Sequence, residues 1–123
     1  LNRLYGTEAI AMERLARKAG DGYLFRKLDT VAVKGRKGSE TIYELVGREQ
    51  DVSDERRSFV QRYESAFELY LQREFVRAKE ALESLQGDYP GDLSVARLLQ
   101  GCLHCLETPP GPEWDGVTRY DIK

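Results

Sequence analysis

The feature that most restricts this chain is a change in the period of its apolar residues close to residue 50. Before that point Val31 and Val33 alternate with small or polar neighbours, and Thr41-Ile42-Tyr43-Glu44-Leu45-Val46 forms a second run of the same kind. A repeat of two belongs to a half-buried strand, whose successive side chains face opposite sides of a sheet. After it, Phe59, Tyr63, Ala66, Phe67 and Tyr70 recur at three and four residues, which places them on one face of a helix. The pattern therefore predicts an α+β chain, strands first and helices afterwards.

Charge changes at the same place. Residues 1–48 hold 10 Lys and Arg against 6 Asp and Glu, a balance of +4, whereas residues 49–123 carry -6. The near-neutral total of -2 thus hides two units of opposite sign, as expected when two segments meet different surroundings. The polar stretch from Gly47 to Asp51 separates them. We divide the chain into a first unit over 1–47, a linker over 48–52, a helical unit over 53–106 and a tail over 107–123.

The first unit reads as β-α-β-β. Ala9–Met12 is a candidate strand, and Met12–Ala19 has helix-forming composition with Gly20 at the C-cap position. Tyr23–Val33 and Thr41–Val46 are strands, and the basic loop Lys34-Gly35-Arg36-Lys37-Gly38-Ser39 turns between them. The second unit reads as three helices. The first covers Ser53–Arg73; the second carries Phe75, Ala78, Leu82 and Leu85 and stops at Gly87 and Pro90. Asp92 caps the third, whose stripe is Val95, Leu99, Cys102 and Leu106, and Thr108-Pro109-Pro110-Gly111-Pro112 ends it. Trp114, the one tryptophan of the chain, is expected to anchor the tail by packing.

Several function classes drop out. No run approaches 18 apolar residues, so the sequence contains no membrane span, and no basic segment precedes an apolar stretch as in a secretory signal. One short basic cluster in an acidic chain is a poor basis for nucleic-acid binding. Cys102-Leu103-His104-Cys105 has the Cys-x-x-Cys spacing, but no second cysteine pair and no second histidine exist to complete four zinc ligands. Both thiols are expected to pack in the interior. Asp115-Gly116 lacks the repeated oxygen ligands of a calcium loop, and Glu64, Glu68, Glu80 and Glu83 read as a solvated surface. No catalytic or metal-binding residue is assigned to this chain.

Two resemblances go further. The spacing of Ala66, Ala78, Leu82 and Pro90 resembles a tetratricopeptide repeat, in which small residues sit where two helices cross closely and a proline closes the second. Asp92–Leu106 resembles the first helix of a following repeat. In the first unit, Leu1–Thr7 with its Tyr5-Gly6-Thr7, then Phe25–Gly35 containing Leu28-Asp29-Thr30-Val31-Ala32-Val33-Lys34-Gly35, then Ile42-Tyr43-Glu44-Leu45 resemble the C-terminal end of bacterial class III adenylate/guanylate cyclase domains. The Pro109-Pro110 and Trp114-Asp115-Gly116-Val117 segments are similar to an ending found in some members that carry tetratricopeptide-like helices.

This resemblance implies a parent enzyme that converts ATP or GTP into a cyclic nucleotide and pyrophosphate, with two divalent ions (Mg or Mn) held by two aspartates. Those aspartates, the base-recognising residues and the transition-state Asn/Arg pair precede the Tyr-Gly-Thr strand in the family, so this chain has no positions for them. Asn2 and Arg3 lie too close together to replace the pair. The chain alone is expected to be catalytically incompetent and to hold no cofactor. The start at Leu1 rather than Met leads us to expect a piece of a longer protein. Lys34, Arg36 and Lys37 correspond to residues that approach the triphosphate in some members; in the isolated fragment they also suit a solvated hairpin tip that discourages edge aggregation.

A single repeat and an incomplete sheet leave apolar faces uncovered. They predict self-association, contact with an upstream catalytic domain, or a Trp114 tail and third helix folded over the exposed groove. A protein or peptide regulator is a further expected partner, ATP or GTP only in the complete parent. The expected compartment is the cytoplasm, with an upstream membrane anchor left open. The contrasting reading is a free-standing tetratricopeptide-like adaptor that binds a peptide or protein.

Overall fold

A computed structural model describes residues 10–12, 22–33 and 38–120. Met12, given as the first residue of a helix, ends a strand instead; Glu13–Ala19 of that expected helix, the Leu1–Thr7 segment and the loop residues Lys34, Arg36 and Lys37 lie outside the described residues. The element order is β1 (Ile10–Met12), β2 (Tyr23–Val33), β3 (Glu40–Arg48), a short 3-10 turn (Glu49–Asp51), α1 (Asp54–Leu71), α2 (Phe75–Asp88), α3 (Leu93–Glu107) and β4 (Thr118–Tyr120). The chain is α+β, with one sheet in the order β1-β3-β2-β4 and three helices.

Strands β2 and β3 form the antiparallel centre of the sheet, and β1 pairs antiparallel with the far side of β3. The hairpin pairing slips twice, between Leu24 and Phe25 and between Lys27 and Asp29. The second slip makes Leu28 an extra residue, which changes the parity of the strand. Arg26 and Leu28 therefore enter the core from even positions and Val31 from an odd one, and all three are buried. A strict alternation cannot do that.

The connection to the helices is tighter than a 48–52 linker implies. Gly47 and Arg48 still pair with Leu24 and Tyr23, and the Glu49 amide donates to the Gly22 carbonyl at 2.9 Å. Ser53 then caps α1, its hydroxyl accepting from the Arg56 amide at 3.1 Å. Asp92 caps α3 by accepting from the Val95 amide at 2.9 Å. In both cases a side-chain oxygen satisfies an amide that the first helical turn leaves without an acceptor.

One apolar cluster crosses from sheet to helices. Leu28, Val31 and Ile42 pack with Phe59, Val60, Tyr63 and Ala66 of α1, Ala78, Leu82 and Leu85 of α2, and Val95, Leu99 and Cys102 of α3. Ala66 and Ala78 are fully buried, as is Leu82, whereas Pro90 is exposed in the α2–α3 turn. The stripe expected on α3 needs one correction: Leu106 is 38% exposed, and Cys105 turns inward at 5%. Cys102 and Cys105 are one helical turn apart and share a face, while Leu106 lies 100° further round the helix.

The joint between sheet and helices is a buried charge. Arg26 is fully buried on β2. Its Nε donates to Glu44 Oε1 on β3 at 2.9 Å, and its Nη1 donates to Asp92 Oδ1 at 3.2 Å. Nη2 lies 3.0 Å from Asp92 Oδ2 but off the line of a hydrogen bond, so that contact is electrostatic. The guanidinium also faces the rings of Phe59 and Tyr63, at 5.0 and 4.8 Å from their centroids. Removing one member of such a buried pair leaves the other charge uncompensated in a low-dielectric site. We expect Arg26→Ala to lower unfolding free energy by about 3–5 kcal/mol in a denaturant titration. Arg26→Lys fails to restore it, because an ammonium neither forks nor stacks in this way.

Candidate functional site

The outer edge of β2 is where the two halves of the structure and the tail converge. An unpaired strand edge presents bare amides and carbonyls, and here side chains of α1 cover them. Glu64 Oε2 accepts from the Lys27 amide at 2.7 Å, and the Tyr63 hydroxyl donates to the Leu28 carbonyl at 2.8 Å. Further along, β4 adds in parallel, matching Thr118, Arg119 and Tyr120 with Val31, Ala32 and Val33. Thr118 Oγ1 donates to Asp29 Oδ2 at 2.7 Å, and Asp29 Oδ1 accepts the Thr30 amide at 2.8 Å.

These elements enclose a cavity of about 180 Å³ whose lining includes Asp29, Tyr63, Tyr70, Ser94, Arg97 and Thr118. Desolvation raises the pKa of both tyrosines, and Arg26 offsets only part of it for Tyr63. Both hydroxyls therefore stay protonated as donors through the neutral range.

The tail is fastened at the α1–α2 turn. Arg73, with φ at +66°, sits in the left-handed region that closes this turn. Its Nη1 donates to the Pro110 carbonyl at 3.2 Å, and Nη2 to the Gly111 and Trp114 carbonyls at 2.6 and 3.4 Å. Trp114 packs edge-on against Tyr70 and Phe75, with ring centroids 5.2 and 5.4 Å away, and Arg73 covers its face at 5.3 Å. Gly116 has φ at +76°, a conformation that selects glycine, and a Cβ there would have to displace the end of the Leu71 side chain. Asp115 accepts from Arg119 at 2.9 and 3.2 Å and from the Val117 amide at 3.0 Å. The Arg119 hydrogen bond, helped by that amide, holds the Asp115 carboxyl down to about 2.

The cysteines have no reactive surroundings. Burial pushes the Cys102 thiol up to about 12, with nearby Cys105 adding to it, and burial also raises Cys105. His104 is on the exposed side of α3, away from both sulfurs. Among the described residues no group of three His, Cys, Asp or Glu side chains could hold a metal ion, and none of their helices is long and apolar enough to cross a membrane. The two divalent ions implied for a cyclase therefore have no ligand set among these residues.

Of the residues singled out from the sequence, Ala66, Ala78 and Leu82 lie together in the helical core, and Trp114 lies at the α1–α2 turn. Arg26, Glu44 and Tyr63 escaped notice as a joint. A signal for the first two existed: Arg26 alternates with Leu24 and Leu28, and Glu44 with Ile42 and Val46. Opposite charges at apolar-phase positions of two paired strands mark a buried ion pair. Compared with known protein families, curated proteins and solved structures, the chain matches none of the three.

The thiols supply a direct check. In native protein at pH 8 neither cysteine should react appreciably with a thiol-exchange reagent, and both should react after denaturation. Cys102, Cys105, Tyr63 and Tyr70 all have folded-state values above their unfolded ones. Their neutral forms thus support the fold fully below about pH 8.5, and that support is lost as pH climbs through the raised values. Thermal melting at stepwise pH should show falling Tm above about pH 9.

Proposed function

We infer that this chain is the C-terminal part of a class III nucleotide cyclase, with its helices braced against the last two strands of the catalytic sheet. The observation that carries this reading is the placement of the resembling blocks. The Leu28–Val33 block runs along β2, and Ile42–Leu45 lies in β3 as its antiparallel neighbour, with Asp29 opposite Ile42. Strand β1, which follows the Tyr5-Gly6-Thr7 block in sequence, flanks β3 at the other end of the described sheet.

In such a parent the ribose 3′-oxygen attacks the α-phosphorus of ATP or GTP. A new P–O bond forms, the bond to the β-phosphate oxygen breaks, and pyrophosphate leaves while the hydroxyl proton passes to a base or water. Divalent ions would neutralise the developing charge, held by residues upstream of this chain. Lys34, Arg36 and Lys37 follow β2 and would contribute charge-assisted hydrogen bonds to the triphosphate. The helical unit would serve dimerisation or a regulatory protein contact.

The adaptor reading requires an open inner face on the helical hairpin. In this structure β2 meets that region through Lys27 and Leu28, and the tail packs on Tyr70 and Phe75. This favours the enzyme reading.

The test is the coding sequence upstream of Leu1, followed by assay of the complete product with Mg or Mn. The expected frame supplies two metal-binding aspartates and an Asn…Arg helix, and the product makes cyclic nucleotide while the 123-residue chain makes none. A start codon immediately before Leu1, or a complete product inert with both ATP and GTP, overturns the reading.

A further inference from the structure

Strand β2 is held by three partners at different points along its length. The β3 ladder covers it from Tyr23 to Val31. Side chains of α1 satisfy the opposite edge at Lys27 and Leu28. Ala32 and Val33 lie beyond the last β3 pair, and among the described residues their ladder partner is β4. Lys34 follows directly in the sequence.

The segment that supplies β4 is fixed at two places with different chemistry. At the helical end, Trp114 lies between Arg73 and the Tyr70 and Phe75 rings, and Arg73 grips three tail carbonyls. At the sheet end, the Thr118 hydroxyl is bonded to Asp29, and three residues pair in parallel. Three parallel pairs at a sheet edge form a weak ladder on their own. The sheet end therefore depends on the anchor at Trp114, and the docked tail opens at lower free-energy cost than the core. A docked and a released tail form a two-state element that any ligand of the Trp114 corner would bias.

We propose that the tail is a latch, with Trp114 as its helical anchor and the Thr118–Asp29 bond as its catch, which couples the α1–α2 turn to the end of β2. This rests on the cyclase reading for its consequence: in the complete enzyme the docked tail orders the strand end that leads into Lys34 and so supports triphosphate binding. Thr118 and Trp114 are positioning residues, acting through the end of β2. A regulator that takes the Trp114 corner releases the catch and weakens substrate binding.

Hydrogen exchange on the 123-residue chain tests the latch without reference to catalysis. Trp114→Ala and Thr118→Val should each accelerate exchange in residues 31–33 and 118–120 by about tenfold or more. The β2–β3 ladder around Arg26 should keep its protection. Thr118→Val exchanges the hydroxyl for a methyl group at nearly constant size and guards against a general loss of fold in Trp114→Ala. Unchanged exchange in both variants, or equal acceleration throughout β2 in both, overturns the latch.

The complete enzyme supplies the second arm. Both substitutions should raise the nucleotide KM about fivefold or more with kcat little changed. An active wild-type enzyme whose variants keep its KM overturns the regulatory role. A wild-type product with no cyclase activity overturns the parent reading instead, and the exchange result still decides whether the latch exists.

Discussion

The structure depends on the burial of one positive charge. An unpaired guanidinium in an apolar interior is several kcal/mol too costly for a domain of ordinary stability. Arg26 is tolerated because Glu44 comes from the neighbouring strand, Asp92 from the start of α3, and two aromatic faces from α1. Burial alone would lower its pKa, but attraction to Glu44 and Asp92 outweighs this and holds it above its ordinary value. The charge is therefore compensated only when sheet and helices are assembled together. Asp92 does two jobs at that point, capping α3 and neutralising Arg26, so the direction of the third helix is tied to the sheet.

The same economy governs the edge of β2. A strand with β3 on one side needs something on the other, and a full neighbouring strand covers only its last three residues. At Lys27 and Leu28 the edge is met by a carboxylate and a phenol from α1. These single hydrogen bonds tie the helix to the strand at that point. The tail completes the edge after crossing the α1–α2 turn, where Arg73 and Trp114 hold it. Helices, sheet and tail thus meet along β2.

Much of this was legible before any coordinates. The strand over Tyr23–Val33, the cap at Asp92 and the three helices follow from period and capping chemistry, because both are local properties of the chain. The burial of Ala66, Ala78 and Leu82 follows from helical phase. The exposure of Leu106 did not, since stripes of 99, 102 and 106 or of 99, 102 and 105 both fit one helical face. The bulge at Leu28 was equally hidden: an inserted residue changes parity without leaving a distinctive residue type.

By itself the sequence determined the order of the first strands and the three helices, the place where period two gives way to period three-and-a-half, and the separation of a +4 half from a -6 half, but not the strand in the tail. Those follow from backbone geometry and residue chemistry within short windows. Tertiary structure alone decided that both halves contribute to one core, that Arg26 is its buried charge, and that β4 pairs with a strand 85 or more residues earlier. The physical reason is distance along the chain. A carboxylate at 92 compensates a guanidinium at 26, and a hydroxyl at 118 meets a carboxylate at 29, only after folding has brought them together.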